Sequence, residues 1–93
     1  MVENTENTPI YPKRKLRAYL RVRELMAIRR IHKTSTLLKM LISAGVDISE
    51  SQFSRVVNNK TDSWKREHLD GLCQVLNCSI GELIGEEEVV NTH

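Results

Sequence analysis

Residues 49–60 carry the side chains of this chain whose types and spacing are best suited to chemistry. Phe53, Val56 and Val57 recur there at helical spacing, and Ser49 stands where a helix needs an N-cap. The pattern predicts a short helix with one apolar stripe and a polar N-terminal end that faces outward. Hydroxyl, carboxamide, carboxylate and guanidinium groups at such an end can hydrogen-bond to base edges in the major groove of DNA.

Four side chains of this helix are the candidates for contacts with bases: Glu50, Ser51, Gln52 and Arg55. Gln pairs bidentately with adenine, Glu accepts from cytosine, and Arg reads guanine or binds a phosphate. Two of them keep a second interpretation. Glu50 can simply stabilise the helix dipole in the first turn, and Arg55 can form a surface salt bridge with an acid such as Glu50.

The elements that must position these groups are further helices joined by short polar turns. Thr34, Ser35 or Thr36 can cap a second helix, Gly45 can end it, and Ser79 can cap a short fifth one. The expected helices cover residues 13–30, about 35–44, 49–58, 63–77 and 79–84. No segment alternates with period two for long enough to predict a sheet.

The chain is long enough for one domain. We expect a flexible N-terminal arm over residues 1–12, because that segment is polar and contains Pro9 and Pro12. The folded domain is expected over residues 13–85, and an acidic C-terminal tail over residues 86–93.

The order of these elements resembles the phage-repressor family of helix-turn-helix proteins (Cro/cI-like, XRE-type) over about residues 16–84. The likeness is strongest in two places, the predicted third helix and the closing helices. The residues that carry it are Ile48-Ser49, Phe53 to Val56 and Asn58, then Leu69, Leu72-Cys73, Leu76 to Cys78 and Ile80 to Ile84.

This resemblance implies an all-α fold, a compact five-helix domain like that of lambda repressor, with its recognition helix near residues 49–58. It also implies that Ser54, Asn58 and Lys60 contact the DNA backbone. Asn59 stands where Gly is frequent in the family, and Asn tolerates a left-handed turn better than most residues.

The expected contacts with the DNA backbone include both ends of the helix-turn-helix and the N-terminal basic cluster. They are Lys33, Thr34, Ser35, Ser49, Ser54, Asn58, Lys60, Lys13, Arg14 and Arg17. Backbone N–H groups and hydroxyls of residues 33–35, at the start of helix two, can bind a phosphate, cap the helix, or do both. The cluster near Lys13 can lie along DNA, or it can be an ordinary solvated face.

The distribution of charge supports a polyanionic partner. All 14 Lys and Arg residues lie between Lys13 and Arg66, a span with only four acidic residues and therefore a net charge of +10. The overall charge of +2 hides this asymmetry. Such a split suggests one face directed at nucleic acid and another end left acidic.

The cysteines and aromatic residues suggest packing rather than chemistry. His68, Cys73 and Cys78 match no common zinc spacing, so we expect no metal and no cofactor. Cys73 falls on the apolar stripe of the fourth helix, which favours a core position. Trp64 is expected to pack between a loop and helix four, with a dimer contact as the alternative.

These observations favour a DNA-binding transcription regulator and exclude most enzyme classes, since the chain has no phosphate loop, nucleophile elbow or paired carboxylates. We expect a repressor that binds a palindromic operator in double-stranded DNA as a homodimer, with Ile80, Leu83, Ile84 and the Val89-Val90 segment at the seam. The alternatives are an antitoxin-type module that docks a protein through Glu86 to Glu88 or the N-terminal arm, and a basic module without sequence choice. Without a signal peptide or an apolar span, the protein is expected in the cytoplasm, away from membranes.

Overall fold

The structure, a computed structural model, describes residues 15–89. Within that range the chain forms five helices and two strands: β1 (Lys15–Leu20), α1 (Val22–Ile28), α2 (Thr34–Ser43), α3 (Glu50–Val57), α4 (Arg66–Leu76), α5 (Ile80–Leu83) and β2 (Ile84–Val89). The mostly helical fold predicted from the sequence is confirmed. It carries in addition a two-stranded antiparallel sheet, which the sequence pattern did not reveal.

The expected helix over residues 13–30 is wrong in its N-terminal half. Lys15–Leu20 is a strand, and α1 begins only at Val22. Segment 15–20 does alternate, with Leu20 buried on one face and Arg17 and Tyr19 on the other, but six residues are too few to separate strand from helix. Pairing with β2, about seventy residues away, decides the conformation.

The C-terminal segment is also divided differently from the expectation. Residues 86–93 were assigned to an acidic tail, but Glu86–Val89 belongs to β2 and pairs with β1. Residues 90–93 and the predicted arm over residues 1–12 lie outside the described residues.

The core lies between the helices and beneath the inner end of the sheet. Every helix contributes to it, so one apolar cluster holds α3 against the other helices. Its buried members are Leu20, Val22, Leu25, Met26, Leu37, Leu41, Ile48, Phe53, Val56, Val57, Leu72, Leu76 and Leu83. Cys73, Cys78 and Trp64 pack against this cluster as partly buried residues.

The turn between α2 and α3 is held by α4. Gly45 has φ 89°, as expected for a residue that ends a helix in the left-handed region. Two residues further on, the Glu67 carboxylate accepts the Asp47 N–H at 3.1 Å, and His68 Nε2 lies 3.1 Å from the Asp47 carbonyl oxygen. His68 is 4 % exposed, so its buried ring nitrogen finds a hydrogen-bond partner in this carbonyl.

A glycine allows α4 to approach this turn closely. A Cβ atom on Gly71 would lie 2.4 Å from Val46 Cγ2 and 3.4 Å from Leu41 Cδ2. Val46 is branched at Cβ and short, so it has little freedom to move aside. Contact between α4 and the turn therefore requires the absence of a side chain at position 71.

We expect Gly71→Ala to destabilise the protein by about 1–2 kcal/mol. Overpacking against Val46 costs about 1–3 kcal/mol, which exceeds the gain of about 1 kcal/mol in helix propensity. Urea unfolding measures the difference. Gly81→Ala is the control for an added methyl group without a clash, because a Cβ there meets nothing closer than 3.9 Å. Equal stability of the two variants would show that the approach of α4 is not a constraint.

Candidate nucleic-acid interface

A reciprocal cap fixes the start of α3. Ser49 Oγ accepts the Gln52 N–H at 3.1 Å, and Gln52 Oε1 accepts the Ser49 N–H at 2.9 Å. This capping box confirms Ser49 as the N-cap and satisfies two backbone donors of the helix terminus. Phe53, Val56 and Val57 face the core as predicted, which directs the opposite side of α3 to solvent.

The predicted base contacts lie on that outward side. Glu50, Ser51 and Arg55 are exposed, and among residues 15–89 neither Glu50 nor Arg55 forms a salt bridge. The expected alternative of an ion pair between Arg55 and Glu50 is therefore wrong in this structure, and the Arg55 guanidinium remains available to a partner.

Gln52 differs from the other three, because its carboxamide already has a role. The side chain is half-buried, and its carbonyl oxygen is engaged in the capping box. Bidentate pairing with adenine uses both the carbonyl and the amino group. While the box is closed, Gln52 thus offers DNA its amino group and only the second lone pair of its carbonyl oxygen.

The N-terminus of α2 presents uncapped donors beside α3. Lys33 is the N-cap residue, and no side chain of the described chain caps this helix. The interpretation of Thr34, Ser35 or Thr36 as the capping residue is therefore wrong. Thr34 and Ser35 instead line an open groove of about 200 Å³ that also borders α1 and α3.

An arginine that the sequence analysis missed completes this groove. Arg23, exposed on α1, donates from Nη2 to Asn58 Oδ1 at 2.8 Å, and Asn58 Nδ2 donates to the Ser54 carbonyl at 2.9 Å. These contacts place Arg23, Asn58 and Ser54 next to the α2 N-terminus. A guanidinium, hydroxyls and helix N–H groups together form a suitable surface for a phosphate. The excess of basic residues in segment 13–66 was the signal available for Arg23, but the mistaken long helix hid which face it occupies.

A second groove, of about 420 Å³, lies on the other side of α3. Gln52 and Arg55 border it from the helix, and Lys60 and Lys65 border it from the following loop. Asp62 is the acidic residue on its rim. Lys65 is a second basic residue that the sequence analysis did not select. The two grooves place cationic groups on both sides of the outward face of α3.

The remaining predicted backbone contacts fall in different surroundings. Ser49 uses its hydroxyl in the capping box, and Lys60 is exposed. Arg17 lies in β1 and pairs with Glu87 of β2, with Nε 2.9 Å from Oε2, so part of its charge is neutralised within the sheet. Lys13 and Arg14 lie outside the described residues.

The thiols show the properties of packed side chains. The pKa of the Cys78 thiol is raised to about 11, mainly by burial and secondly by the neighbouring Cys73 thiol. Within residues 15–89 no group of three or more metal-binding side chains comes together. No helix in that range is long and apolar enough to cross a membrane.

Helices α2 and α3, with the turn that α4 holds, form a helix-turn-helix whose second helix presents its polar N-terminal half. This arrangement defines a helix-turn-helix DNA-binding domain. The family model for the Cro/C1-type HTH DNA-binding domain matches residues 21–87, and the chain belongs to this family. No curated protein and no solved structure matches the chain.

We expect Arg23→Gln to weaken binding to duplex DNA of any sequence, because the change removes a positive charge from the groove that is suited to a phosphate. The slope of log affinity against log salt concentration should fall by about one. Titration of a fluorescent random duplex at several salt concentrations measures this slope. Lys39→Gln, on the exposed side of α2 away from both grooves, should leave the slope closer to that of the unmodified protein. Identical slopes for the two variants would remove Arg23 from the interface.

We expect Cys78 to react with iodoacetamide at pH 8 about a hundredfold more slowly than a thiol with the ordinary pKa of 9.0. The reason is that only the thiolate attacks, and the raised pKa lowers its fraction. Mass spectrometry of timed digests measures the rate at each cysteine. Protein unfolded in urea at the same pH is the reference. Equal rates for Cys78 in the folded and unfolded protein would contradict the effect of burial.

Proposed function

We propose that this protein is a sequence-specific transcription regulator, a repressor that binds a palindromic operator as a homodimer. The observation that carries the proposal is the outward polar half of α3, fixed at its start by the Ser49–Gln52 box and anchored by a buried apolar stripe. A helix presented in this way fits the major groove.

Affinity and specificity would come from different side chains. Arg23, Lys60 and the N-terminus of α2 would bind phosphates and set the position of α3 on the duplex. Glu50, Ser51 and Arg55 would then reach base edges, with Arg55 suited to guanine. Gln52 would stabilise the helix start and present to a base its amino group and the second lone pair of its carbonyl oxygen.

The proposed dimer places two α3 helices in successive major grooves, about 34–36 Å apart. Its seam must differ from the one that the sequence suggested. Leu83 is 0 % exposed and belongs to the core of its own protomer, and Ile84 is half-buried. Ile80 is 49 % exposed and remains available to a second copy. The side chains of Val89 and Val90 lie outside the described residues.

Selection of duplexes from a random DNA library tests both the specificity and the symmetry. We expect an enriched motif with two inverted half-sites centred about 10 base pairs apart. Arg55→Ala should weaken binding to that motif by about 1–3 kcal/mol, roughly 5- to 150-fold, and relax the preference at one position in each half-site. Lys39→Ala is the control for a general loss of positive charge, and urea unfolding checks that each variant folds.

The result that would overturn the proposal is a library that gains no motif while the protein still binds DNA. That outcome would favour a basic module without sequence choice. A motif with a single half-site would retain sequence reading but remove the palindromic dimer. Ser51→Ala, beside Arg55 on the exposed face, gives a second variant of α3 that leaves the capping box intact.

The antitoxin-type function stays a hypothesis. Glu86 to Glu88, through which we expected a protein to dock, is built into β2, where Glu86 and Glu88 remain exposed. A toxin gene beside the gene for this chain is the observation that would favour it.

A further inference from the structure

The two-stranded sheet has one edge that the described chain only partly covers. Arg21 N–H donates to the Leu83 carbonyl at 2.8 Å, so Arg21 and, by alternation, Tyr19 and Arg17 direct their backbone groups toward β2. The intervening residues, Leu20, Ala18 and Leu16, therefore direct theirs to the opposite edge of β1. Successive residues of a strand always divide in this way between its two edges.

Asn59, in the loop that follows α3, already occupies the inner end of this edge. Asn59 Oδ1 accepts the Leu20 N–H at 2.7 Å, and Asn59 Nδ2 donates to the Leu20 carbonyl at 3.0 Å. The carboxamide thus makes both hydrogen bonds that a residue of a neighbouring strand would make. Asn59 has φ 56°, the left-handed conformation expected for this position, and this geometry places its side chain against β1. Within residues 15–89 the structure gives no such partner to the outward groups of Ala18 and Leu16.

An open groove of about 460 Å³ lies directly outside this edge. Arg17 and Ala18 form one wall, and the loop from Asn59 to Trp64 forms the other. Neighbouring strands lie about 4.7–4.9 Å apart, so a strand next to β1 would run along this groove. Leu16, at the outer end of β1, is 48 % exposed and offers an apolar contact to such a strand.

The charge around the groove favours an acidic occupant. Lys60 and Arg17 border it, the latter already paired with Glu87, against one carboxylate from Asp62. The strand that already pairs with β1 shows the preference: β2 contains Glu86, Glu87 and Glu88, and Glu87 pairs with Arg17 across the sheet. An acidic strand on the second edge would bring its carboxylates close to Lys60 and, from the other side, to Arg17.

We propose that this edge of β1 is a docking site for an acidic, extended segment of a partner protein, which adds as a third strand. The segment's backbone would bond to Ala18 and Leu16 and continue the position that the Asn59 carboxamide begins. This is strand addition, in which backbone hydrogen bonds supply affinity and side-chain charge supplies selectivity.

A second copy of this chain fits the site less well. Pairing of β1 with β1 about a twofold axis would bring the Arg17 side chains of the two copies close together, and like charges that oppose each other destabilise a sheet. Pairing of β1 with the outer edge of another copy's β2 would match the charges, but it would leave one open edge on each end and would not close. A separate acidic segment has neither problem.

Docking at this edge would act on the DNA-binding surface. Lys60, Thr61, Asp62 and Ser63 line this groove and also the groove beside Arg55. A segment paired with β1 would therefore contact the loop that follows α3. Its carboxylates would compete with phosphates for Lys60.

The test uses the full chain labelled with ¹⁵N and a synthetic peptide with the sequence of residues 84–90, IGEEEVV, added in excess. This probe is acidic, and its first six residues already form a strand beside β1 in the fold. We expect saturable shifts of the Leu16 and Ala18 amide signals. The same peptide with its three glutamates replaced by lysine should bind about tenfold more weakly or not at all.

Two proline variants decide which edge is used. Ala18→Pro removes an outward N–H of β1 and leaves the bonds to β2 intact, so peptide affinity should fall about tenfold. Glu86→Pro is the matched control, because Glu86 is the register partner of Ala18 and its N–H points to the outer edge of β2. Its affinity should change less than about twofold. Protected Arg17 and Tyr19 amides confirm that the sheet persists in Ala18→Pro.

Several results would overturn the proposal. They are the absence of any shift, binding that survives Ala18→Pro, and equal binding of the lysine peptide. Hydrogen exchange of the free protein gives an independent check, in which the Ala18 amide should exchange faster than those of Arg17 and Tyr19. Protection that grows with protein concentration would assign the edge to a second copy. Protection independent of concentration would assign it to residues 1–14 of the same chain.

Discussion

The contact between α4 and Asp47 is the constraint on which the position of the outward face of α3 depends. The angle between α2 and α3 is set within a short turn, and the turn contains an N–H and a carbonyl that helix hydrogen bonds do not satisfy. Glu67 accepts from the first and His68 lies against the second, while Gly71 removes the side chain that would keep α4 away. Because His68 is buried, loss of its ring would leave a cavity beside the turn and remove the partner of the Asp47 carbonyl. The geometry of α3 is thus fixed by a helix that need not contact the ligand.

The contacts of the basic side chains divide them into those that are paired within the fold and those that are not. Arg17 is neutralised in part by Glu87, Arg21 pairs with Glu24, and Arg29 donates to the carbonyls of Leu76 and Asn77 at the end of α4. Each of these cations stabilises the fold. The basic groups that border the two grooves beside α3, among them Arg55 and Lys60, have no salt bridge within residues 15–89. Counting charge along the sequence gives the total, whereas the fold determines which cations remain for a polyanion.

Local sequence patterns predicted the helices well. They did not predict the strands, because those pair between residues far apart in the chain. Ser49 and Ser79 were identified as N-caps from residue type, and both form capping boxes because a hydroxyl and a Gln or Glu three residues later suffice. Segment 15–20 was assigned to a helix because its residues are good helix formers. Its strand conformation could not be detected locally, since the partner strand lies at the far end of the chain. The same error hid Arg23, whose role depends on the face that α1 presents to Asn58. The hydrogen bond between Gln52 and Ser49 was within reach of the sequence, since the box has a known spacing. The competition it creates with base reading appears only with the side-chain geometry.

The pairing of β1 with β2 also has a consequence for the order of folding. Lys15 lies opposite Val89, so the sheet closes a loop that contains all five helices. Closing so long a loop has a large entropic cost, and helices whose contacts are more local can form before that cost is met. The sheet should therefore form late during folding and open early in the native protein, as a unit of low local stability. Because the ends of the described chain meet in this sheet, a short peptide joining them would make the closure permanent. In a circularly permuted chain, opened at the exposed turn near Arg30, β1 and β2 would then be neighbours in sequence and their pairing would be a local contact.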